Sequence, residues 1–273
     1  DVVERARRDL VDAGHMLPRH RKVVDSVRKY GNPYGEERSV PEALGEKPRR
    51  ARVGYFAGCT SAYRNPKISQ ATLSILKKLG EDYTVLNETC CGSVLGRIGL
   101  EEDAVKQMQR NIDAITEQGV EEVVFSCAGC YRMFKEEYPR HVEVPFKVKH
   151  ISEYLAEKDL DLGKLEKKIT YHDPCHLGRH SGVYQAPRDV LSKVPGAEFK
   201  EMPKTSAEAR CCGGGGGVRS AFPELSEKIA GRRVDQAEFA DVLVTCCPFC
   251  VTNLRSGGEK TGSKVEICDL VEL

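Results

Sequence analysis

Residues 121–130 read EEVVFSCAGC, and residues 240–250 read ADVLVTCCPFC. Both are runs of β-branched and aromatic residues that end in C-x2-C. Each predicts a buried strand that delivers two thiols at its carboxyl end. The same order of cysteines surrounds each stretch. Cys59 and the adjacent pair Cys90-Cys91 precede the first, while Cys175 and the pair Cys211-Cys212 precede the second. Cys91 to Cys127 spans 36 positions and Cys212 to Cys247 spans 35, and a glycine follows each pair (Gly92, Gly213). Ten of the twelve cysteines therefore form one pattern written twice.

The pattern has a chemical reading. A mononuclear zinc site takes four ligands, and each set here offers five, two of them adjacent. Neighbouring side chains on an extended backbone diverge. The pair can hardly close on one tetrahedral ion, but it can bind different atoms of a larger cluster. The residues point to two polynuclear sites, iron–sulfur clusters first, with zinc or metal-free redox dithiols as alternatives. Cys246 and Cys268 fall outside the pattern and read as small buried filler. With Cys130 laid on Cys250, Cys127 falls on Cys247 and Ser126 on Cys246. Cys246 is expected to turn away from the metal.

Between the cysteines, strands alternate with helices. RVGYFAGC, YTVLN, EEVVFS and FKVKH are predicted strands of a first unit, and ITYHD, EFKEM, DVLVT and VEICDL those of a second. Helices are expected over 66–79, 100–118 and 151–158, in CYRMFKEEY, in QAPRDVLSKV and over 223–239. This order predicts an α/β fold of two near-symmetric parallel-sheet lobes. The expected division is a helical leader and linker at 1–50, a first cysteine-rich lobe at 51–160 and a second at 161–273. The linker EKDLDLGKLEKK is expected on the surface. The cysteines fall at the carboxyl ends of strands, where open α/β sheets hold ligands, and both sets are expected to face the lobe interface.

Bulk composition narrows the function. Lys+Arg number 42 against 41 Asp+Glu, so the basic excess of an electrostatic nucleic-acid binder is missing. No apolar run approaches a membrane span of about 20 residues. The opening DVVERARRDLVDAGH is charged throughout and reads as no secretory signal. Disulfide-dense folds are short and secreted, so reduced, metal-bound cysteines in a cytoplasmic protein are the expectation.

Other residues gather around the second set. Gly213–Gly217 could form an anion nest or a tight turn around a bulky cofactor. It is not a Walker loop, since no Gly-Lys-Ser/Thr ending follows. YHDPCHLGRHSG places His172, His176 and His180 around Cys175. His176 is the candidate catalytic proton source for a nascent thiolate, and any of the three could instead hydrogen-bond to a cluster from its shell. Arg179 and Arg219 are candidate contacts to an anionic substrate, with Arg132 and Arg210 also near cysteines, and each could instead simply offset negative cluster charge.

At YFAGC, TCCG, CAGCYR, YHDPCHLGRH, CCGGGGG and CCPFC the chain resembles the cysteine-rich CCG family. That family includes the catalytic subunit of heterodisulfide reductase and related iron–sulfur oxidoreductases. The resemblance covers about residues 50–270. It implies that Cys59, Cys90, Cys91, Cys127 and Cys130 hold one noncubane [4Fe-4S] cluster, and Cys175, Cys211, Cys212, Cys247 and Cys250 another. It implies reduction of a mixed disulfide of the coenzyme M–coenzyme B type. It equally implies a second role, an electron-transfer subunit of a lactate, glycolate or glycerol-3-phosphate dehydrogenase or of a respiratory membrane complex. In either role the implied partner is an electron-donating iron–sulfur or flavoprotein subunit or a membrane cytochrome. Longer relatives carry a ferredoxin-like segment ahead of the repeats, and the opening helix resembles the connector after it.

Overall fold

The structure is a computed structural model, and it describes residues 2–273. Two four-stranded parallel sheets organise it. The first is built from β1 (Val53–Phe56), β2 (Tyr83–Val85), β3 (Glu122–Phe125) and β4 (Lys147–His150), in the order β2-β1-β3-β4. The second is built from β5 (Lys168–His172), β6 (Glu198–Phe199), β7 (Val242–Thr245) and β8 (Glu266–Asp269), in the order β6-β5-β7-β8. The two orders are the same, so the cysteine repeat is also a topological repeat. The central strands β1, β3 and β7 are buried at every position. Their near-continuous Val, Tyr, Phe and Leu content is what a parallel sheet covered on both faces requires.

Residues 31–50 depart from an irregular linker. Val40–Leu44 is a short helix whose N-terminus is closed by a reciprocal cap between Ser39 and Glu42. The S-x-x-E signature of such a cap stands in the sequence at 39–42. The stretch after Cys130 also departs from a plain helix. It runs as α-helix over Ala128–Arg132, widens to a π-turn over Met133–Glu137 and tightens to a 3-10 turn over Tyr138–Arg140. Its counterpart in the second lobe is one regular helix, Pro248–Thr261. The expected strand EFKEM shrinks to Glu198–Phe199.

The two opening helices, Val2–Asp12 and Pro18–Tyr30, tie the lobes together. Arg7 donates Nη1 to the carbonyls of Arg97 in the first lobe and Gly216 in the second, at 2.7 and 2.8 Å. His20 pairs its Nε2 with the Gly217 carbonyl at 3.0 Å. A side chain at Gly217 would meet that ring at 2.7 Å on a backbone with φ +79°, so only glycine suits the clamp.

Candidate metal centre

Each cysteine sits where a strand or a loop beyond it turns toward the other lobe. Cys59 opens the helix after β1. Cys127 and Cys247 precede the first turns of the helices that follow β3 and β7, with Cys130 and Cys250 one turn on. The amides exposed at those helix starts favour negative charge there. The two pairs end the loops that follow β2 and β6. All ten repeat cysteines line one cavity of about 790 Å³. The sets meet in it, since Cys127 and Cys247 are within thiol hydrogen-bonding reach across the interface. All twelve cysteines are free thiols.

Sulfur–sulfur spacing inside the sets is tight, and Cys250 and Cys212 stand 3.3 Å apart. Thiol hydrogen bonds from Cys59 and Cys91, with the Gly92 amide, hold Cys90 toward the thiolate against its burial. Cys175 and Cys212, with the Gly213 amide, do the same for Cys211. The first member of each pair is thus the one held toward the thiolate in both lobes. Glycine clears the space they need. At Gly58, with φ +78°, a Cβ would stand 3.1 Å from the Cys130 sulfur. Many soft, buried donors around a cleared wall fit a polynuclear iron–sulfur group and exceed what one zinc ion can use.

Carbonyls behind the pairs are pinned by asparagines. In the first lobe Asn111, from the helix Glu101–Glu117, donates to the Cys90 carbonyl at 3.2 Å, and Tyr138 donates to that of Cys91 at 3.2 Å. In the second lobe Asn253, from the helix Pro248–Thr261, donates to the Cys212 carbonyl.

Cys246 is fully buried, off the cavity wall, and within hydrogen-bonding reach of Tyr171. Ser126 stands in the same relation to Tyr55, hydroxyl to hydroxyl at 2.8 Å. Cys268 lies buried in β8, also off the wall.

The structure separates the other candidates. His176 lines the cavity and stacks edge-on against His180 at 5.6 Å, and His180 is exposed. Burial, then the nearby Arg132 and Arg97 cations, push His176 down to about 3, so its ring is neutral. Arg219 also lines the cavity, and its Nη1 donates to Asn253 Oδ1 at 2.6 Å. Arg179 is placed elsewhere. Its guanidinium donates to the carbonyls of Ala207 and Ala209, at 3.4 and 2.6 Å, off the cavity wall. There it braces the loop before the Cys211-Cys212 pair. Arg132 is held by Glu137 at 3.1 Å. Gly214–Gly217 form part of the wall in a turn.

Two residues beside the second set were not singled out by sequence reasoning as a unit. His172 presents a ring nitrogen within 4.8 Å of the sulfurs of Cys212 and Cys250, and its Nδ1 takes a hydrogen bond from Arg233 at 3.1 Å. His172 belongs to a cysteine-rich motif and was legible as a neighbour. Arg233 lies 21 positions past Cys212, and no local signal connects it to the site.

Comparison with known proteins fits this geometry. The cysteine-rich domain (CCG) model matches twice, at residues 53–135 and 169–255. A subunit of the dihydromethanophenazine:CoB–CoM heterodisulfide reductase of Methanosarcina acetivorans is 38% identical over 282 residues, covering 90% of this chain and 69% of that protein. A subunit of the fumarate reductase (CoM/CoB) of Methanothermobacter marburgensis is 34% identical, covering 94% of this chain and 53% of that protein. An EtfAB:quinone oxidoreductase of Syntrophomonas wolfei is 30% identical, covering 94% of this chain and 40% of its own length. The chain therefore spans between two fifths and about two thirds of these relatives. No helix among the described residues is long and apolar enough to cross a membrane.

Proposed function

From the premise that this chain belongs to the cysteine-rich CCG family, we propose that it is the disulfide-cleaving part of an iron–sulfur oxidoreductase. The observation that carries the reading is that two complete five-thiol sets open into one cavity. Cys59, Cys90, Cys91, Cys127 and Cys130 would hold one cluster, and Cys175, Cys211, Cys212, Cys247 and Cys250 the other. When bound, two clusters of the noncubane [4Fe-4S] type supply two electrons, and these with two protons convert one disulfide into two thiols.

The chain's own residues supply the rest. The cavity between the sets admits an extended substrate. Arg219 adds a cation to its wall, and among the described residues the side chain it bonds is an amide rather than a carboxylate. That favours an anionic disulfide, with coenzyme M–coenzyme B the first choice. The neutral His176 presents an N–H to a developing thiolate, and the exposed His180 beside it gives a route to solvent protons. Electrons would come from a partner iron–sulfur, flavoprotein or cytochrome subunit.

The test is an anaerobic assay with a reduced viologen as donor and the mixed disulfide as acceptor. Free thiols appearing at two per disulfide support the reading. A protein with full iron that turns over no disulfide, yet passes electrons to a quinone or flavoprotein partner, supports the second reading, an electron-relay subunit. That alternative draws on the quinone oxidoreductase among the relatives.

A further inference from the structure

Behind the second cysteine set lies a pair of side chains that disulfide cleavage leaves without a task. His172 ends β5 and is fully buried, with a ring nitrogen within 4.8 Å of two sulfurs of that set. Its Nδ1 receives the Nε–H of Arg233 at 3.1 Å. An arginine N–H only donates, so Nδ1 holds a lone pair and the ring proton of the neutral tautomer sits on Nε2. That Nε2–H is buried and has no partner among the described residues.

Arg233 is equally exposed to question. It is 1% exposed. Its Nη1 donates to Gln236 at 2.8 Å, while its Nη2 has no partner among the described residues. Asp173 lies near enough to favour its charge, but both oxygens of that carboxylate are bonded to Arg188. A buried cation with no carboxylate of its own is costly unless something anionic stands nearby. An orphaned N–H and a poorly compensated guanidinium behind five cysteine sulfurs both point to a negatively charged group on the sulfur side.

The first lobe has no such pair. The place of His172 is taken by Phe56, packed 5.1 Å from each of the rings of Phe125 and Phe134. With Cys91 laid on Cys212, the place of Arg233 falls to Ile112, also buried. Arg97 and Arg132, the first-lobe cations that reach toward His176, are paired with Glu4 and Glu137.

We propose that His172, fixed by Arg233, donates its Nε2–H to the second cluster, and that the pair makes this cluster the more easily reduced of the two; the inference rests on the cluster reading above. A hydrogen bond to sulfur and a nearby cation both stabilise the more negative, reduced state. The site in the second lobe then fills first when electrons arrive.

The test is a redox titration of the anaerobically reconstituted protein followed by electron paramagnetic resonance, with iron counted on the same samples. Cys247→Ser identifies which signal belongs to the second cluster. The wild type should show two separated midpoints, the second cluster's being the higher. His172→Phe copies the first lobe. It should lower the second midpoint by at least a tenfold change in the one-electron equilibrium, about 59 mV, leaving the first midpoint and the iron content unchanged. Arg233→Met should lower the same midpoint. His172→Gln keeps an N–H and should retain most of the wild-type value. An unmoved second midpoint in His172→Phe and Arg233→Met would overturn the proposal. So would an H172Q midpoint as low as that of H172F, or selective loss of iron in H172F, which would make His172 a ligand. Should H172F not fold, H172Q and R233M still decide. A wild type without iron would refute the cluster reading instead.

Discussion

The two lobes pin their cysteine pairs with asparagines from different helices. Asn111 reaches Cys90 from the helix before the C-x2-C, and Asn253 reaches Cys212 from the helix after it. The tyrosine at the back of each sheet is more faithful to the repeat, Tyr55 against Ser126 and Tyr171 against Cys246. What stays fixed between the lobes is the strand order and the backbone positions that aim ten thiols. What varies is much of the packing behind those thiols. Behind Cys59 and its partners lie aromatic rings, Phe56, Phe125, Phe134 and Tyr138, with one buried carboxyl, Glu88, that accepts from the Gly58 amide. Behind Cys175 and its partners lie the charged Asp173, Arg188 and Arg233 and the imidazole of His172. A parallel sheet can hold a ligand set with either lining, so the lining is free to set the electrostatics of each site.

The largest effect should come from the charged lining. Asp173, where the first lobe has Ala57, is 3% exposed and takes two hydrogen bonds from Arg188 at 2.9 and 3.0 Å. Asp173→Ala removes those bonds and the contacts to Thr205 and Ser206 but leaves Arg188 bonded to Glu201. It should therefore cost about 1.5–3 kcal/mol in a urea titration. Burial works to raise the Asp173 pKa, but Arg188 and the Ser206 amide outweigh it and hold it below the ordinary aspartate value. The stability it contributes is thus fully present above about pH 3.9. It is lost as pH falls through the lower folded value, and Asp173→Asn should abolish that component of the acid transition. An Asp173→Ala midpoint within error of wild type would break the contrast between the linings.

A second contrast lies at the cavity wall. His176 stands where the first lobe has Thr60, whose hydroxyl is taken by Tyr34 at 2.9 Å. Only the second lobe then offers a ring N–H to the reaction. His176→Gln should lower disulfide turnover by about 10²-fold with iron content intact. Unchanged turnover and pH profile would remove His176 from the mechanism.

The smallest effect is expected where the lobes agree. Cys246→Ser installs the residue that Ser126 already provides opposite Tyr55. It should keep full iron and change stability by less than about 1 kcal/mol. Iron loss on this substitution, with Cys247→Ser harmless, would show the repeat to be misaligned by one residue.

Much of this was legible because the cysteines carry their own register. The strand–C-x2-C unit and its repetition follow from EEVVFSCAGC and ADVLVTCCPFC, and the parallel order follows from the alternation of strands and helices around them. The offset of one between the repeats separates Cys247 from Cys246. The cap at Ser39 and Glu42 was also written in the chain, although the glycines and prolines around it obscure the helix it opens. The π-turn at Met133–Glu137 was not legible, because CYRMFKEEY has an ordinary helical pattern and the widening is settled by packing. The setting of Arg179 was hidden for a related reason. Nearness to Cys175 in sequence says nothing about which way a guanidinium turns, and here two backbone carbonyls claim it. Arg233 reaches the second set only through tertiary packing, far from any cysteine motif.

The most direct test of two separate five-thiol sites is iron and acid-labile sulfide per chain, measured on anaerobically prepared wild type, Cys91→Ser and Cys212→Ser. About eight irons are expected in the wild type and about half of that in each variant, one lobe emptied and the other untouched. A variant that loses all its iron would mean one cluster shared across the Cys127–Cys247 contact, and two separate sites would be ruled out.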